Sequence, residues 1–435
     1  MRVTWGRQFG CITVFWAVFS WGCSDGDHAT GNNPSQDPVD HHDDVTVHVA
    51  DAGSAIAPSE LPPYGDMLPG NIPDDVGMIR IGPVSVKDGE SAEVSVVFPA
   101  DVRSAMFYVY GHNGASVILK RVDGPSGVIV DDVAPSSGVS EVAGPFPGQF
   151  YSKNRIIPSV TTGAWLVPNS PEVKFGEGTY HVKFGAYAVD MQTGALQAVD
   201  KPLYIALLVR RAKEVKTKGS LDLVLHFTGA RGLTAANAKT DRTLQDALKV
   251  MRDAYGSVGV TLGDIHYVDL NDPSLRTIIL PEGTCAGGDL DKLLKHSSDT
   301  EHTGLHLFFV DHFQCMIFGQ FDMGQYIGGI SGGIPGMALA KGTTHSGVAV
   351  SLAMFAQDPT TTAVVMAHES GHFLGLYHTQ ENRMMLGGVG VYDNIADTPD
   401  TEAGAGANLM NYTAGTTISL SPGQGFVMRN NPLVK

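Results

Sequence analysis

His368, Glu369, His372, Gly375 and His378, in the run His-Glu-Ser-Gly-His-Phe-Leu-Gly-Leu-Tyr-His, are the residues of this sequence most able to do chemistry. On a helix, a four-residue step at 3.6 residues per turn stacks His368 and His372 on one face. Both imidazoles can then meet one ion at ~2.0–2.1 Å. Glu369 lies beside them, a carboxylate able to hold the ion's water and take its proton as that water attacks a carbonyl. A catalytic zinc site needs a third protein ligand and an open position for water. His378 supplies the ligand once Gly375, free of a Cβ, turns the chain sharply at the helix end. Three imidazoles form a neutral set that leaves a dication its Lewis acidity.

A helix must carry this motif, and the preceding residues provide one. Asp358 suits the N-cap, Pro359 the first helical position, and an apolar run continues from Thr360 to Phe373. Upstream, residues 221–227, 260–270, 305–311 and 346–352 read as strands and 234–255 as an amphipathic helix. Strands alternating with helices imply a layered α/β arrangement with a mixed sheet. The glycine-rich stretch 327–336 reads as a loop or bulged edge. Residues 79–213 differ: short alternating runs punctuated by Gly, Pro, Asn and Asp predict an antiparallel sandwich. Its aromatic residues Tyr108, Tyr110 and Trp165 are either sheet core or a surface for glycan or protein. The fold class expected for the whole is α+β.

The 435 residues leave room for two domains and a tail. Net charge is −16, from 29 basic and 45 acidic residues, which argues against a nucleic-acid partner. Residues 1–22 read as an export signal: Arg2 and Arg7 precede an apolar stretch too short to span a bilayer. Ser20-Trp21-Gly22-Cys23 resembles a bacterial lipobox, with Cys23 the lipid acceptor and the only expected tie to a membrane; cleavage nearby without lipid is the alternative. The expected destination is the bacterial cell surface, as an outer-membrane lipoprotein, or the medium. Residues 23–78, rich in Asp, Pro, Ser and Gly, read as an unstructured acidic tether. In an oxidising compartment Cys285 and Cys315 form one disulfide or remain two buried thiols.

The histidine pattern followed by Asn408-Leu409-Met410-Asn411-Tyr412 resembles the metzincin zinc proteases and their Met-turn. In that family Met410 would form an apolar floor under the histidines, and Tyr412 would donate to the oxyanion. Gly375-Leu376-Tyr377-His378-Thr379, Asp393-Asn394-Ile395-Ala396-Asp397-Thr398-Pro399 and Ser421-Pro422-Gly423-Gln424 resemble the pappalysin and cytophagalysin group. The resemblance implies a metzincin-type catalytic domain over 214–435, with a mixed twisted sheet and an active-site helix. It also implies a zinc cofactor, a protein or peptide substrate, and calcium at Asp393, Asp397 and Thr398. An Asx-type turn locked by Pro399 accounts for the same loop residues. This sequence lacks the cysteines that group usually carries between the third histidine and the Met-turn, and no upstream thiol stands ready to block the metal. The competing reading is a surface binding protein whose sandwich recognises a glycan or protein and whose zinc domain does not cleave. The intact Glu369 argues against it.

Overall fold

A computed structural model of the chain describes residues 45–50, 72–112, 115–131, 156–189, 196–282, 287–317, 321–353, 359–381, 391–399, 401, 406–413 and 418–435. The export segment, Cys23, Cys285 and Asp358 lie outside these residues. The architecture is mixed and rich in sheet, consistent with the α+β class.

Two sheets, of nine and four strands among the described residues, share one apolar core. The four-stranded sheet orders Thr162–Val167, Val102–Tyr110, Leu203–Arg211 and Val76–Val84, all antiparallel. Successive side chains on a strand point to opposite faces, and here each face meets a different core. Phe107, Val109, Ile205 and Leu207 face the nine-stranded sheet, whereas Met106, Tyr108, Tyr110, Ala206 and Leu208 join the core of the remaining chain. Burial on both faces explains why Leu203–Arg211 reads as a nearly unbroken apolar run. Tyr108, Tyr110 and Trp165 are buried, so they do not supply an aromatic recognition surface.

The tether expectation needs correction at one place. Thr46–Val49 pairs antiparallel with Val94–Phe98, adding a strand to the nine-stranded sheet. Val45 is buried and Val47 and Val49 pack on the same core, a period-two pattern outweighed in composition by the polar residues around it. The strand Val76–Val84 likewise starts before residue 79.

Beyond residue 218 the order is Val260–Asp269, Gly219–Phe227, Leu305–Val310, Val348–Ser351 and Gly329–Ser331 in a five-stranded sheet. The first four run parallel and the last is an antiparallel edge strand. The helix expected over 234–255 is two helices, Ala235–Ala238 and Arg242–Gly256. Asp241 breaks it, leaving helical geometry to accept the Leu244 amide at 2.9 Å as N-cap of the second. That helix buries Leu244, Ala247, Leu248, Met251 and Tyr255 on one face. Tyr255 donates to the Ala367 carbonyl at 2.7 Å, tying it to the helix Pro359–Phe373 that carries the histidines.

Pro359–Phe373 is buried on every side from Thr361 onward. The glycine-rich run explains part of this. A Cβ on Gly328 would meet Val365 at 3.0 Å, one on Gly329 would meet Glu369 at 2.8 Å, and one on Gly336 would strike the Phe373 ring. Residues 365, 369 and 373 form one helix face, so the run lies lengthwise along it. Just past the C-terminal end of this helix Gly375 sits between the sandwich and the final helix: its Cβ would meet Leu166 of the sandwich at 3.6 Å and Val427 of the helix Pro422–Asn430 at 3.3 Å. Ser104 and Arg210 of the sandwich also bond the Asn430, Asn431 and Val434 carbonyls near the C-terminus.

Candidate metal centre

The structure brings His368, His372 and His378 together, their ligand atoms all within 4.8 Å of one another. His368 and His372 come from adjacent turns of the helix. His378 returns from beyond Gly375, whose φ of +107° an L side chain rarely adopts. The Leu376 amide closes back on the Gly371 carbonyl at 3.0 Å, completing the reversal.

Outer hydrogen bonds fix the tautomer of each ring. His368 Nδ1 lies 2.7 Å from the Leu409 carbonyl, His372 Nδ1 2.6 Å from the Leu376 carbonyl, and His378 Nδ1 2.9 Å from Glu381 Oε2. A carbonyl or carboxylate only accepts, so each Nδ1 carries a hydrogen. Burial pulls His368 down to about 3 and His372 well below its usual range, keeping both neutral. Their Nε2 atoms are therefore bare lone pairs. Yet they point at His378 Nε2 from 3.3 Å and 3.1 Å. Three ring nitrogens converging this closely in a buried site form a donor set that a shared cation completes. Two nitrogens ~2.1 Å from one ion at near-tetrahedral angles lie about 3.4 Å apart, so this donor set fits a divalent transition ion.

Glu369 is buried, and Ser331 of the edge strand donates its amide to Oε2 at 3.1 Å. Burial pushes the carboxyl up to about 8, with the Ser331 hydrogen bond opposing the rise. A nearby dication would favour its ionised form.

Met410 is fully buried under the helix, where a Cβ on Gly371 would come within 2.7 Å of its sulfur. Gly371, between the first two histidines, is thus the gap that Met410 fills. Asn408 Oδ1 accepts the Met410 amide at 2.8 Å and forms a reciprocal amide pair with Gln424 at 2.9 and 3.1 Å. Gln424 also completes the capping box of the helix Pro422–Asn430, so one side chain clamps the methionine turn to the final helix. Tyr412 is half-buried after this turn and makes no hydrogen bond among the described residues.

The loop at Asp393 is an Asx-type turn. Asp393 Oδ1 accepts the Ile395 amide at 3.2 Å and the Thr398 hydroxyl, while Asp397 accepts the Gly423 amide at 2.9 Å. Asp397 therefore faces the start of the final helix, where a carboxylate is favoured. Cys315 is buried in its strand, and its expected partner Cys285 lies outside the described residues.

Sequence reading missed Glu381, Gln424 and Ser331 as supports of the centre. Glu381 follows His378 by three residues, the one signal available for it; the other two act from distant elements.

No protein-family model matches the chain, and neither does any curated protein. Among solved structures it is similar to metalloproteinase-II from Bacteroides fragilis, at 11% identity and a TM-score of 0.28. That match covers 51% of this chain and 60% of the other, so the chain spans less than two thirds of that protein. TmCBM61 in complex with β-1,4-galactotriose matches at 13% identity and a TM-score of 0.15, covering 32% of this chain and 83% of that one. A family two carbohydrate esterase from Clostridium thermocellum gives 9% identity and 0.15, covering 54% and 65%. Likenesses this distant carry no functional argument, which rests on the site.

Proposed function

We propose that the chain is an exported zinc endopeptidase of the metzincin type, related to the pappalysin and cytophagalysin group. One observation carries the reading: three imidazole Nε2 atoms converge in a buried site, and a buried carboxyl, Glu369, follows the first of them on the same helix. His368, His372 and His378 would hold the ion. Bound zinc supplies a Lewis acid for the scissile carbonyl and lowers the pKa of a water toward ~7. Glu369 takes the proton from the attacking water and passes it to the leaving amine; its burial and the Ser331 amide hold it in place for both transfers. Tyr412, half-buried just after the methionine turn, is the donor for the tetrahedral oxyanion. The edge strand Gly329–Ser331 lies against Glu369 and is where an extended peptide adds as a further strand.

The rest of the reading comes from sequence. Residues 1–22 direct export, Cys23 accepts lipid or is trimmed away, and Cys285 pairs with Cys315. The accessory unit, extended to take in the strands Thr46–Val49 and Val76–Val84, precedes the catalytic unit at 214–435. Asp393, Asp397 and Thr398 are the oxygens that would hold calcium in this loop, the alternative being an Asx-type turn closed by the Ile395 amide and the Thr398 hydroxyl.

The test compares zinc-loaded wild type with Glu369→Ala on unfolded casein and gelatin. Loss of a positioned general base lowers turnover by about 10²–10⁴-fold. Equal cleavage by the two proteins, or none by zinc-loaded wild type across varied substrates, rejects the reading.

A further inference from the structure

Of the three imidazoles, His378 alone has an ionised side chain behind it. The outer nitrogens of His368 and His372 meet backbone carbonyls, whereas His378 Nδ1 meets Glu381 Oε2 at 2.9 Å. His378 is also the one ligand candidate off the helix, following a residue with φ of +107°, so helical geometry does not aim its ring. Glu381 is itself held. Its amide donates to the Val391 carbonyl at 2.8 Å, Gln380 bridges Tyr392, and the Thr379 amide donates to the Met410 carbonyl at 2.9 Å. The carboxylate is thus mounted on a short ladder joining the third histidine to the methionine turn.

We propose that Glu381 is a positioning residue for the metal centre, orienting His378 and strengthening it as a donor through the carboxylate–imidazole hydrogen bond. This rests on the zinc reading above. The carboxylate draws on the Nδ1 hydrogen, which raises electron density at Nε2. Its negative charge also offsets part of a dication's charge across the ring, which three neutral ligands do not do.

The experiment measures zinc dissociation constants of the full chain by chelator competition, for wild type, Glu381→Ala, Glu381→Gln and His368→Ala. Glu381→Ala is expected to bind zinc about 10–100-fold more weakly, with metal-free unfolding unchanged. Glu381→Gln keeps a neutral acceptor and loses less than the alanine variant. In the cobalt-loaded proteins, the visible absorption bands of Glu381→Ala shift from those of wild type. A Glu381→Ala protein that holds zinc within twofold of wild type overturns the proposal. Should that variant fail to fold, wild-type affinity in Glu381→Gln overturns it instead. Failure of the zinc reading looks different: wild type would bind no zinc, or His368→Ala would bind it unchanged.

Discussion

Gly371 shows how much of the site depends on a missing atom. The gap it leaves holds the Met410 sulfur, so Gly371→Ala forces a side chain or the helix to move. Overpacking of this kind costs about 1–3 kcal/mol, measurable by urea unfolding of the metal-free protein, and zinc affinity should fall with it. Unchanged stability would mean the methionine is not packed there. The three histidines were legible in sequence because eleven positions carry all three, two of them one helical turn apart. Another pair was not. His226 Nε2 lies 2.8 Å from His306 Nδ1 on neighbouring strands, both rings buried and His226 stacked on Phe308. Residues 80 apart give no spacing signal. Burial pulls His226 down to about 4 and His306 well below its ordinary value, with Lys341, His296 and His302 adding repulsion and Asp299 opposing it. Unfolded histidine titrates near ~6.5, so below that pH the unfolded chain binds more protons than the folded one. Stability from this pair is full above ~6.5 and is lost as pH falls toward 4, by about 3 kcal/mol from His226 alone. In the double variant His226→Leu/His306→Leu, metal-free unfolding should lose that part of its acid dependence. An identical slope in wild type would contradict the assignment.

Elements position these residues through contacts that run far along the chain. Gln424 caps the final helix and pairs with Asn408, so Gln424→Ala removes two functions at once. The expected loss is about 1–3 kcal/mol, and more than for Ser421→Ala, which removes only the cap worth ~1 kcal/mol. Equal melting temperatures for the two variants would show that the amide pair contributes nothing. Strand positions near 221–227, 305–311 and 346–352 were legible because buried strands leave compact apolar runs, and the one near 260–270 from spaced Val, Leu, Ile and Tyr residues, three of them half-buried against the core. The break at Asp241 is marked in sequence only by the polar run 239–243, which the solvent face of one continuous helix would also give. The glycine run 327–336 announced a close approach but not its partner. Only the fold shows that Val365, Glu369 and Phe373, one helix face, are what it approaches.

At the scale of the whole molecule, the two parts of the chain share a core. Tyr108, Leu166 and Leu208 of the sandwich belong to the same apolar cluster as Phe373, Leu374 and Leu376 around the turn that leads to His378. Arg210 fastens the join: its guanidinium is buried, 2.7 Å from Asp75, and bonds the Asn431 and Val434 carbonyls. Asp75 is partly exposed and keeps Lys216, so what Arg210→Ala removes is the charged donor to two buried carbonyls, about 1.5–3 kcal/mol for each, and it should show the largest fall in unfolding free energy among the variants here. Residues 214–435 produced alone would expose that apolar face and should bind a hydrophobic dye or precipitate. A soluble, dye-silent fragment with full zinc affinity would contradict this. None of this docking was legible in sequence, because an apolar strand looks the same whether its second face meets its own sandwich or a neighbouring unit.

X-ray absorption at the zinc edge of the loaded full-length protein addresses the centre itself. The account predicts one zinc per chain, with three imidazole nitrogens at ~2.0–2.1 Å, one further light donor and no sulfur. A sulfur shell near ~2.3 Å, or fewer than three imidazoles around the ion, would contradict it.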